Sequence, residues 1–113
     1  MSDKPREGLE ESVRQSLRMV IDPELGENVV DLGLIYKVVA AVEAGVVHVE
    51  MTTTTAGCPA AAYLRDAVAS AAWIVEGIQH VEVVLTYDPP WTPDMMNADA
   101  RAHLGFARKA AGR

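Results

Sequence analysis

Residues 34–59 read LIYKVVAAVEAGVVHVEMTTTTAGCP, and the fold turns on how this stretch is parsed. Leu34, Tyr36, Val38, Ala40 and Val42 alternate with Ile35, Lys37, Val39, Ala41 and Glu43, so one face is wholly apolar and the other mixed. That period of two is the mark of a half-buried strand. Glu43-Ala44-Gly45 is short enough to close a hairpin, with Gly45 at a position of positive φ. Val47, Val49, Met51 and Thr53 then alternate against His48, Glu50, Thr52 and Thr54. Two antiparallel strands of about eight residues each are expected. Beyond Pro59 the period changes. Residues 59–76 are rich in alanine, carry Leu64, Ala67, Val68, Ala71, Ile74 and Val75 on one stripe, and stop at Gly77, a residue suited to a helix C-cap.

Working outward, Leu9, Val13, Leu17, Val20 and Ile21 recur at helical spacing, with Glu10, Glu11, Arg14 and Arg18 between them, which predicts an amphipathic helix over residues 7–21. Asp22-Pro23 ends it, since a residue before proline is pushed out of the α region. Residues 24–33 read as a carboxylate-rich loop. On the other side, Val81, Val83, Leu85 and Tyr87 alternate with Glu82, Val84 and Thr86 as a third strand, stopped by Asp88-Pro89-Pro90. Thr92-Pro93-Asp94 resembles an N-cap with proline at the first helical position, predicting a last short helix through Met95 and Met96 towards Leu104. The expected fold class is α+β: a two-layer sandwich in the order helix, strand, strand, helix, strand, short helix, with the helices on one face of a three-stranded sheet.

With 113 residues and 50% apolar content, the chain fits one domain over 1–113, with residues 1–6 disordered. A formal charge of −6 opposes the sign of a phosphate backbone, so nucleic acid is not expected as a partner. The polar first ten residues lack a signal-peptide core, and no stretch approaches the roughly 18 apolar residues of a membrane span. A cytoplasmic location is expected. The single cysteine excludes an intramolecular disulfide and fits a reducing compartment.

That cysteine, Cys58, lies in Thr55-Ala56-Gly57-Cys58-Pro59 between the second strand and the second helix. Pro59 suits the first helical position, which makes Cys58 the expected N-cap, its sulfur facing free amides and the positive end of the helix dipole. Both favour a reactive thiolate. Gly57 would let the backbone approach a ligand closely. The alternative is a small buried hydrophobe at a strand-to-helix turn. Cysteine-dependent hydrolysis needs a base, and none of His48, His80 and His103 is placed beside Cys58 by the sequence. One thiolate cannot build a stable zinc or iron-sulfur site alone, so any metal ligation by Cys58 needs ligands from another subunit or partner. Asp22, Glu24, Glu27 and Asp31 fall within ten residues and are read either as a hard-metal or acid-base group or as a capped turn. Trp91, Met95 and Met96, in a segment stiffened by prolines, are candidates for a partner surface or for a lid over the core.

Asp22-Pro23-Glu24-Leu25, Asn28-Val29-Val30-Asp31-Leu32-Gly33-Leu34-Ile35-Tyr36, Met51-Thr52 to Thr55-Ala56-Gly57-Cys58-Pro59, and Val83 to Asp88-Pro89-Pro90-Trp91-Thr92-Pro93-Asp94 together resemble the iron-sulfur cluster assembly domain family, SufT-like and PaaD-like. The resemblance implies a non-enzymatic assembly, carrier or targeting factor that works through a reactive cysteine at Cys58. It also implies a supporting polar cluster at Asp22, Glu24 and Thr55, with Gly57 and Pro59 shaping the loop. Its cargo would be a transient iron-sulfur cluster or iron, and its partners iron-sulfur scaffold, carrier or client proteins, with a homodimer as one arrangement. Two departures stand out. Ala56 replaces a proline common in the family, and the cysteine-rich C-terminal extension of PaaD-like members does not follow, which brings the chain nearer the short SufT type.

Overall fold

A computed structural model of the chain describes residues 4–105. The elements are α1 (Lys4–Leu17), β1 (Ile35–Ala41), β2 (Val46–Met51), α2 (Ala61–Trp73), β3 (His80–Leu85), a 3-10 turn (Pro93–Met95) and α3 (Ala98–Leu104). The order and class match the sequence reading. The expectation of disorder over residues 1–6 falls partly outside the described residues; Lys4, Pro5 and Arg6 lie within α1.

The sheet runs β1-β2-β3, with β1 antiparallel to β2 and β3 parallel to it. α2 supplies the crossover that a parallel pair requires. Val38 and Ala40 from β1 and Val47, Val49 and Met51 from β2 point to the helical layer, where Val13 and Leu17 of α1 and Leu64, Val68 and Ala72 of α2 meet them. The opposite face carries Lys37, Val39, His48, Glu82 and Val84 to solvent. Two polar pairs lie on it, the His48 ring with the Glu82 carboxylate at 2.6 Å and the Lys37–Glu50 ion pair at 3.9 Å.

Alternation fails in one place. The β1-β2 register shifts between Ile35 and Lys37, a bulge that leaves both Leu34 and Ile35 in the core. Tyr36 is thereby released to donate its hydroxyl to the Pro89 carbonyl at 2.8 Å. Burial raises the Tyr36 pKa above its usual 10, with a smaller opposing effect from Thr52.

The helices are shorter than their patterns. α1 stops at Leu17, and residues 18–20 close as turns onto Gln15, Ser16 and Leu17. Ile21 leaves the helical stripe to bridge Asn28, and Asp22 donates its amide to Glu27. Ile74, read as core, lies past the end of α2 and is 67% exposed. The last helix is not continuous from Thr92. Met96 is extended, and α3 starts afresh behind Asn97, whose side chain caps the Ala100 amide. Among the described residues no helix is long and apolar enough to cross a membrane.

Candidate functional site

The loop after β2 carries Cys58, and three other segments converge on the same end of the sheet. Thr52 donates its amide to Leu34 beyond β1, and Thr86 donates to Met51 as β3 ends. The Thr53 hydroxyl pairs with the Tyr87 hydroxyl at 2.8 Å and also donates to the Thr55 carbonyl at 2.7 Å. The Thr54 hydroxyl donates to Glu24 at 3.2 Å. A run of threonines therefore ties the Cys58 loop to the loop after α1 on one side and to the chain after β3 on the other.

Within the loop, Thr55, Ala56, Gly57 and Pro59 are exposed, whereas Cys58 is 8% exposed. Gly57 has φ +77°, the left-handed region that favours glycine, and a Cβ there would meet nothing within 4 Å. Its positive φ serves the turn, and the space in front of its Cα is open. The expected N-cap is corrected. α2 begins at Ala61 behind Ala60, and Pro59 lies in the turn ahead of it rather than at the first helical position. Cys58 takes part through its carbonyl, which accepts the Ala61 amide at 3.0 Å. An exposed proline and a buried thiol in sequence turn the sulfur inward, so the dipole argument made for a capping cysteine does not apply.

The carboxylates divide. Asp22 is 2% exposed, and its Oδ1 accepts the Glu24 and Leu25 amides at 2.7 and 3.2 Å, which is the capped-turn reading. Glu27 holds His103 at 3.0 Å. Asp31 is buried and accepts from Arg18 at 2.9 Å, Asn97 at 2.8 Å and Asn28 at 3.0 Å. It pins α3 to the loop after α1, a role visible in the sequence only had Asn97 been taken as the cap. Among the described residues no group of three His, Cys, Asp or Glu side chains is arranged to hold a metal ion, and no hydrogen bond joins Asp22 or Glu24 to Cys58. His48 pairs with Glu82 across strands rather than with Glu50.

Trp91, Met95 and Met96 pack over the core, Met96 buried and Trp91 and Met95 half-buried. The Trp91 indole donates to the Leu32 carbonyl at 2.7 Å, Met96 is 4% exposed, and the Met95 sulfur lies 3.5 Å from the Tyr36 hydroxyl. The exposed apolar side chains lie elsewhere. Met19, Ile21, Tyr63 and Ile74 line a groove of about 420 Å³ between the chain after α1 and the outer side of α2.

Residues 10–85 match the family described as iron-sulfur cluster assembly protein. A relative from Staphylococcus aureus, the Fe-S protein maturation auxiliary factor SufT, is 47% identical over 79% of this chain and 100% of its own length. An Fe-S protein maturation auxiliary factor from Porphyromonas gingivalis is 43% identical over 86% of this chain and 91% of its own. A crystal structure of a domain of unknown function from Bacillus anthracis superposes with a TM-score of 0.86 at 35% identity, covering 91% of this chain and 97% of that one.

Proposed function

The chain belongs to the iron-sulfur cluster assembly protein family, and from that premise we propose that it is a non-enzymatic auxiliary factor in the maturation of iron-sulfur proteins, working through Cys58. The observation that carries the reading is positional. The only thiol of the chain lies inside the family-matched segment, on a loop whose exposed residues flank it and whose base is tied to Glu24 and Tyr87. Iron or an iron-sulfur cluster is the cargo here, and Cys58 is the soft ligand this chain offers for it. Four sites on a cluster against one thiolate per chain mean that the remaining ligands come from a second copy, a partner protein or a small thiol. Scaffold, carrier or client proteins are the corresponding partners. Because the sulfur is nearly buried, uptake requires the loop around Cys58 to open first.

The same burial favours a second reading, in which Cys58 packs the strand-to-helix turn and the molecule acts only by contact. Anaerobic reconstitution with iron and sulfide separates the two. A visible chromophore that forms on the native chain and is lost in Cys58→Ser supports the carrier. A native chain that takes up no iron and sulfide, or a Cys58→Ser variant that takes up as much, leaves the contact reading.

A further inference from the structure

The two edges of the sheet are finished differently. On β1, the Glu10 carboxylate reaches over from α1 to accept the Ala40 amide at 2.8 Å, and the bulge between Ile35 and Lys37 interrupts the strand. A side chain occupying an edge amide and a bulge both prevent another strand from pairing. Among the described residues β3 has neither device. It pairs in unbroken parallel register with β2 from Val46 opposite His80 to Met51 opposite Leu85. The His80 amide donates to Gly45 and the Thr86 amide to Met51, which sets the phase of the ladder: His80, Glu82, Val84 and Thr86 bond inward. The N–H and C=O groups of Val81, Val83 and Leu85 therefore point outward, and among the described residues nothing bonds to them.

The side chains agree with an open edge. Val47, Val49 and Met51 of the central strand are fully buried, while Val81, Val83 and Leu85 on the same face of β3 are only partly covered. Trp73 and Val84 beside the edge are 46% and 49% exposed. Acidic side chains predominate along this edge: Glu76 ahead of the strand and Asp88 past it are exposed with no basic partner among the described residues, while Glu82, also exposed, already faces His48 at 2.6 Å. A second copy of this chain would bring that acidic edge against itself, on top of a −6 charge per chain.

We propose that the outer edge of β3 receives an extended, Lys- or Arg-bearing segment of another polypeptide as a fourth strand. Backbone hydrogen bonds to Val81, Val83 and Leu85 supply the register, the half-covered valines and Trp73 take its apolar side chains, and Glu76 and Asp88 at the two ends select basic ones. The proposal does not rest on the chemistry at Cys58.

The test uses the full chain and a capped synthetic peptide of alternating Lys and Val about eight residues long, with a Glu-Val peptide as control. By NMR, the Lys-Val peptide is expected to shift the Val81, Val83 and Leu85 amides and slow their exchange, to bind more weakly as salt is raised, and to bind Cys58→Ser as it binds the native chain; the Glu-Val peptide should bind at least tenfold more weakly. Val83→Pro removes an outward N–H without touching the inward ladder and is expected to weaken binding at least tenfold. A Lys-Val peptide N-methylated at alternate residues makes the same test on the native chain, so the proposal does not depend on that variant folding. Equal binding of the acidic peptide, undiminished binding of both the N-methylated peptide and Val83→Pro, perturbations centred away from β3, or β3 amides already protected in a self-associated native chain would overturn it.

Discussion

Cys58 has to be judged on what its sulfur touches. It is buried, it caps nothing, and its loop is held by hydroxyls and not by any charged partner of the thiol. Cys58→Ala should therefore lose no helix cap and cost only the apolar contact of one small side chain, about 1 kcal/mol in denaturant unfolding. Cys58→Ser puts a hydroxyl in the same place and should cost about 1–3 kcal/mol if that group finds no partner. Both variants should fold yet fail to restore iron-sulfur enzyme activity in cells lacking the native protein; full rescue by Cys58→Ser would remove the thiol from the mechanism. Tyr36 gives a separate prediction. Its pKa is raised in the folded state, so its contribution to stability is complete below pH 10 and is lost as pH rises from there through the folded value. Tyr36→Phe should lose about 1 kcal/mol at neutral pH with its bond to Pro89, and should flatten the alkaline limb of the stability curve. Unchanged alkaline behaviour would show that another group controls that limb. The residue types at both positions were legible in the sequence, but the inward turn of the sulfur was not, because Pro59 suits a turn ahead of a helix as well as its first residue.

Among the elements, α3 depends most on contacts far along the chain. Its cap, Asn97, bonds the Ala100 amide and at the same time the Asp31 carboxylate, which also takes Arg18. Asn97→Ala should cost about 1–3 kcal/mol, the sum of a lost cap and a lost bond to a buried carboxylate, read as a lower denaturation midpoint. A loss confined to a few tenths would mean that α3 is not coupled to the core through Asp31. Gly33 has φ +80°, and a Cβ there would fall on the Met95 carbonyl. Gly33→Ala should consequently be destabilised by more than about 1 kcal/mol, whereas Gly57→Ala, where the space is open, bears the backbone strain alone. The β1 bulge explains why strict alternation misassigned Ile35 and Tyr36 while placing Val38 and Ala40 correctly. One extra residue flips every side chain on its far side, and nothing in a run of apolar residues marks where it sits.

In the whole molecule, the crossover through α2 makes β3 parallel to β2, so that the chain leaves both strands at one end of the sheet. Cys58, Glu24 and Tyr87 share that end as a result. If two chains together complete the ligand set of a cluster, anaerobic sedimentation of the native chain should show a larger species after reconstitution with iron and sulfide, and none for Cys58→Ser. A monomer carrying a full cluster would contradict the ligand count. The sequence by itself determined the element order, the α+β class, the thiol and its loop, and the family, since these rest on local periods, turn residues and contiguous motifs. Only the tertiary structure decided that Asp22 serves a turn and Asp31 an anchor, that Trp91 and Met96 close the core while Met19 and Ile74 stay outside, and that β3 keeps an open edge. Each of those follows from which distant backbone amide, carbonyl or side chain arrives opposite a residue, and the periodicity along one segment carries no information about what will face it.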